Sequence, residues 1–87
     1  MAALGNMITP AQCRAARGLL EWSQSDLARQ AHVGIVTVQQ LETGVSRPRS
    51  ATLEVIKRAF ELAGVEFIDE NGGGPGVRLR RPQLKKG

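Results

Sequence analysis

The chain has 87 residues, 41% of them hydrophobic and only three aromatic. That suffices for one domain with a modest core, of a size that often leans on a partner. A single cysteine excludes an intrachain disulfide and fits a reducing compartment, and no apolar run approaches the length that spans a membrane.

The net charge of +4 is unevenly spread. Residues 1–58 sum to +3, residues 59–77 to −4, and residues 78–87 to +5. Two basic parts therefore flank an acidic one, a pattern that fits a polyanion partner. The opening residues 1–7 lack a basic segment followed by a long apolar one, so a secretory signal is not expected and a cytoplasmic protein is. They carry no periodic signal and are expected to form a loose arm.

Helical patterns begin at Thr9-Pro10-Ala11-Gln12, where Thr9 can cap, Pro10 suits the first turn and Gln12 can close a capping box. This first helix is expected to run to about Glu21 or Trp22. Cys13, Ala16, Leu19 and Leu20 form its apolar stripe, with Arg14 and Arg17 on the flanks. Gly18 within it suggests the close approach of another backbone, and Trp22 should pack at the junction with the next helix.

Ser23-x-x-Asp26 then starts a second helix whose inward residues are Leu27, Ala28 and Ala31. A break at Ala31-His32-Val33-Gly34 leads into a third, Ile35 to Thr43, closed by Gly44. Val38 and Leu41 should face the core, leaving Ile35, Val36, Gln39 and Gln40 outward or at the boundary. His32 suits a left-handed turn position. Two short helices joined by so tight a turn form the DNA-reading helix-turn-helix.

After the loop Val45–Ser50, punctuated by Pro48, Ser50 is expected to cap a fourth helix from Ala51 to about Ala63. Its apolar face is Leu53, Ile56, Phe60 and Ala63, with Gly64 ending it. The period then changes. Residues 65–68 and 77–80 read as short strands joined by a glycine-rich loop, with Val65, Phe67, Val77 and Leu79 on one face and Glu66 opposite Arg78 or Arg80 on the other. A lone hairpin is marginal, so it must pack on the helices or pair with a second copy, within a chain or by strand exchange.

Arg17, Ser23-Gln24, Asp26-Leu27-Ala28, Ala31, Val33, Thr37-Val38, Leu41-Glu42 and Gly44 together resemble the Cro/repressor-type (XRE-like) helix-turn-helix proteins, over roughly residues 8–63. The resemblance implies a mainly α, compact four-helix domain, lambda-repressor-like, here with a C-terminal β-hairpin in place of the family's frequent fifth helix. It implies a homodimer on double-stranded DNA, with the third helix in the major groove. Gly34, Ile35, Val36, Gln39 and Gln40 match the base-facing positions. Gln24, Thr43, Arg47 and Arg49 match positions that meet phosphate, and Arg17 and Glu42 match a structural ion pair. The sequence departs from the pattern at His32 and Glu21, where glycine is common, and at Gly34, where a hydroxyl cap is usual.

Chemically, the Gln40 carboxamide can bond adenine N6 and N7 together, and Ile35 and Val36 can meet either thymine methyl groups or an apolar protein surface. Arg47 and Arg49 suit phosphate, which positions without reading sequence. His32 and Cys13 are too sparse for a metal site, the glycine run lacks the features of a phosphate cradle, and no acid–base or nucleophile arrangement can be assembled; no cofactor and no enzymatic activity are expected.

The expected organisation is a helix-turn-helix domain over residues 8–64, a hairpin extension and candidate dimerisation element over 65–80, and a basic disordered tail over 81–87. A sequence-specific transcriptional regulator is the leading expectation. A protein-interaction module or antitoxin-type regulator, binding a protein partner through the third helix or the hairpin, is the alternative.

Overall fold

A computed structural model describes residues 7–69 and 72–80. Four helices, α1 (Pro10–Leu20), α2 (Gln24–Ala31), α3 (Ile35–Thr43) and α4 (Ser50–Leu62), precede an antiparallel hairpin of β1 (Val65–Ile68) and β2 (Gly76–Leu79). The fold is mainly α with a C-terminal hairpin, as the pattern of periods predicts. Residues 1–6, 70–71 and 81–87, including the expected tail, lie outside the described residues.

Both capping boxes form. Thr9 Oγ1 accepts from the Gln12 N–H at 3.0 Å while Gln12 Oε1 accepts from the Thr9 N–H at 2.9 Å, and Ser23 and Asp26 exchange the same pair of bonds. α1 and α2 also end alike. Glu21 and His32 take left-handed conformations, φ 57° and 58°. The next residues, Trp22 and Val33, send their N–H groups back to Arg17 and Ala28 carbonyls, at 2.9 and 3.0 Å. This closing bond turns the chain sharply and drops the following apolar side chain onto the core. Trp22 and Val33 both pack there.

The core contains Cys13, Ala16, Leu27, Ala28, Ala31, Val38, Leu41, Leu53, Ile56, Phe60 and Val65. Phe60 sits between Trp22 and Phe67, with centroids 5.7 and 5.8 Å away, so all three aromatic rings of the chain form one cluster. α1 packs on α3 and on both strands, α2 on α3 and α4, and α4 on β1. The hairpin therefore closes within one chain, its Val65, Phe67, Val77 and Leu79 turned toward the helices. Glu66 lies opposite Arg78 and pairs with it at 3.1 Å.

Several expectations are corrected. α1 stops at Leu20, because Glu21 leaves the helical region. Leu19 is exposed: the buried face of α1 is centred on Gln12, Cys13 and Ala16, and Leu19 falls to its side. Among the described residues, nothing outside its own helix lies within 4 Å of where a Gly18 Cβ would stand, so no second backbone packs there. Ser50 is the first helical residue and not the cap, since the Arg49 carbonyl already accepts the Leu53 N–H at 3.0 Å; no side chain caps α4. α4 ends at Leu62, and Ala63 is only half-buried. β2 runs one residue earlier than expected, pairing Gly76 with Ile68. Met7 packs against the core beside the buried Ile8, so the chain before α1 is anchored from Met7 onward.

Candidate nucleic-acid interface

α3 is held from behind by one buried carboxylate. Glu42, 3% exposed, accepts from Arg17 Nε at 2.6 Å and from the Arg17 terminal nitrogen at 2.8 Å. It also accepts from Gln24 Nε2 at 3.0 Å and from Cys13 Sγ at 3.2 Å. Arg17 completes its fork on the Trp22 carbonyl at 3.0 Å, and Arg14 donates to the Glu42 carbonyl at the negative end of α3. Residues of α1 and α2 thus converge on a single side chain of α3 and fix its position and rotation.

The charge is sustained by these bonds. Burial alone would raise the Glu42 pKa, but the hydrogen bonds from Arg17, Gln24 and Cys13, with the Arg17 charge, outweigh it and hold the carboxyl below its ordinary value. Cys13 responds oppositely. Burial, reinforced by the Glu42 hydrogen bond and charge, pushes its thiol well up, so it remains a protonated donor and an unreactive one.

With Val38, Leu41 and Glu42 turned inward, helical geometry puts Val36, Gln40 and Thr43 on the opposite side and Gln39 beside them. Ile35 shares the inward side but stands clear of the core in the first turn, and all five are exposed. Gly34 caps α3 without a side-chain bond and stands exposed at its leading edge. The loop after α3 folds back on Gln40. Ser46 Oγ donates to Gln40 Oε1 at 3.4 Å, and Thr43 Oγ1 donates to the Gln40 carbonyl at 3.3 Å while accepting from the Val45 N–H at 3.3 Å. Arg47 and Arg49 stand exposed on this loop and form no ion pair among the described residues; Arg47 has only a 3.9 Å contact with Met7 Sδ.

The positions singled out in the sequence therefore fall into two sets. Gly34, Ile35, Val36, Gln39, Gln40, Thr43, Arg47 and Arg49 are exposed on α3 and the adjoining loop. Arg17 and Glu42 form the ion pair beneath them. Gln24 joins the second set: its carboxamide is turned inward onto Glu42. Sequence reasoning missed Cys13 as a Glu42 donor, Ser46 as a Gln40 contact and Val45, 77% exposed beside them. A buried carboxylate seeking several donors was the one available signal for Cys13. Among the described residues no helix is long and apolar enough to cross a membrane. Nor, among them, is any group of three or more His, Cys, Asp and Glu placed to hold a metal ion.

A family model described as helix-turn-helix matches residues 14–67, more than half of the chain. The chain belongs to the helix-turn-helix family. The match runs from within α1 through most of β1, so it takes in the Glu42 assembly, the turn at His32 and the exposed face of α3. A search among curated proteins found no match. Membership in the helix-turn-helix family supports a DNA-binding regulatory role in general.

Proposed function

We propose that this protein is a sequence-specific transcriptional regulator that binds double-stranded DNA as a homodimer, with α3 (residues 35–43) in the major groove. The observation that carries the reading is the clamping of α3 by Glu42, which presents Gln39 and Gln40 on a rigid outer face beside the exposed Arg47 and Arg49. Gln40 is the direct reader, with its carboxamide oriented by Ser46. Ile35, Val36 and Gly34 lead into the groove, where the two branched side chains suit thymine methyl groups. Thr43, Arg47 and Arg49 meet phosphate. At Gln24, whose side-chain amide is engaged with Glu42, the phosphate contact falls to the backbone N–H at the start of α2. Two such helices on successive major grooves set half-sites about 34–36 Å apart.

A gel-shift titration on sequences selected from a random DNA pool tests the reading. Gln40→Ala should relax base preference at one position of each half-site, by about 1–3 kcal/mol of discrimination. Arg47→Ala should weaken all sequences alike and lower the salt slope by about 1.8, about 0.9 for each protomer of the dimer. The reverse pattern would reject these roles. Exposed Ile35, Val36 and Val45 favour a second reading, a protein partner seated on α3. No enrichment from the pool, with a protein co-purifying through this face, would select it.

A further inference from the structure

α4 carries two apolar faces. Leu53, Ile56 and Phe60 are in the core, while Ala51, Val55, Ala59 and Leu62 form a second line at helical spacing. Val55 is 45% exposed, Leu62 is 78% exposed, Ala51 is exposed and Ala59 half-buried. At a rise of 1.5 Å per residue the line is roughly 16 Å long. Its residues alternate small and large.

We propose that this face is the dimer contact, and that a second copy of the chain docks on it with its α4 antiparallel. Turned end for end about a point between Ile56 and Lys57, the line matches itself: Leu62 is level with Ala51 of the second copy, and Val55 lies within one residue of its Ala59. Each bulky side chain then faces a small one, the condition for interdigitation at helix-packing distance. A parallel arrangement would set Leu62 against Leu62 and Ala51 against Ala51, crowding one end and leaving a gap at the other.

The charges select the same arrangement. Glu54 and Arg58 lie on one flank of the line, one turn apart, both exposed and neither in an ion pair among the described residues. Antiparallel docking keeps like flanks together and brings Glu54 within about one residue's rise, 1.5 Å, of the level of Arg58 in the second copy, twice by symmetry. Parallel docking would set opposite flanks together, leaving Glu54 and Arg58 of the two copies on separate sides of the contact and unpaired. A single helix face of this length falls short of the roughly 800 Å² per partner of a standard interface, so the free dimer should dissociate in about the micromolar range. The inference rests on the dimeric part of the proposed function and can fail separately from DNA binding.

Sedimentation velocity on the full chain across a concentration series tests it. Leu62→Glu, at a site too exposed to unfold the domain, should raise the dimer dissociation constant by more than about 100-fold while leaving the circular dichroism melt unchanged. Glu54→Arg and Arg58→Glu should each weaken the dimer about tenfold, and the two together should restore it. A wild type monomeric at every concentration, an undiminished Leu62→Glu dimer, or a double variant no tighter than the singles would each overturn the proposal. Dimerisation through α4 without DNA binding would instead reject the DNA reading and leave this contact standing.

Discussion

Glu42 gives the folded chain a dependence on a single carboxylate. Removing it strands the mostly buried Arg17 and leaves Gln24 and Cys13 without their acceptor. Glu42→Ala should therefore destabilise by about 3–5 kcal/mol in urea unfolding; a loss below about 1 kcal/mol would show that the assembly contributes little. Because the folded pKa of Glu42 lies below its unfolded value, the folded state binds fewer protons in acid. Its contribution is complete above about pH 4.3 and declines as the pH falls through the folded value. Glu42→Gln should flatten that part of the stability–pH profile, and an unchanged acid limb would place the titration elsewhere. The Arg17–Glu42 pairing could be anticipated from the family pattern, but the inward turn of Gln24 could not. A glutamine at a helix start reads equally well as a phosphate ligand, and only the distance to Glu42 decides where its donors go.

Among the elements, α1 and α2 share a design in which a side-chain box opens the helix and a left-handed residue closes it. The boxes are local and could be read from Thr9, Gln12, Ser23 and Asp26. The closures use Glu21 and His32, residues that pay a conformational cost in that region. A left-handed non-glycine residue costs about 1–2 kcal/mol, and glycine returns roughly 0.5–1 of that as extra freedom of the unfolded chain. Glu21→Gly and His32→Gly, both at exposed sites, should each stabilise by about 0.5–1 kcal/mol. Thermal melts showing either variant destabilised would mean that the side chain contributes more than its conformation costs. Ser50 has the chemistry of a cap, so the sequence places the start of α4 one residue late. The chain enters helical geometry one residue sooner, and nothing in a hydroxyl side chain announces that shift.

Across the whole molecule, the hairpin is bound to the helices by apolar packing and by one buried amide. Gln12, 5% exposed, donates from Nε2 to the Gly76 carbonyl at 2.9 Å and to the Ile68 carbonyl at 3.3 Å, bridging the last paired residues of the two strands. At the other end, the Arg80 N–H bonds the Gly64 carbonyl at 2.7 Å and the Arg80 side chain the Glu61 carbonyl at 2.9 Å. Gln12→Glu keeps the capping acceptor but turns the donor into a second oxygen against two carbonyls. It should loosen the hairpin by about 1–3 kcal/mol. Hydrogen exchange should then quicken in β1 and β2 and hold steady in α2 and α3. Uniform quickening would mean that the hairpin and the helices open together. The hairpin itself could be anticipated from the change of period, whereas its tether could not, because a capping-box glutamine has no evident second task.

That tether has a consequence for synthesis. Gln12 is separated from its two acceptors by 56 and 64 residues, so the first helix finds its last partners only when the chain is nearly complete. Contacts of such separation form late and slow the closing of a fold. On the ribosome, α3 and its Glu42 donors are complete by Thr43, but the hairpin that closes over α1 cannot be tethered until Gly76 has emerged. A product truncated before that point carries all of α3 but lacks β2, so β1 is unpaired and Gln12 is without its acceptors. Such a fragment should be cleaved by protease faster than the full chain, because an unpaired strand leaves its backbone open.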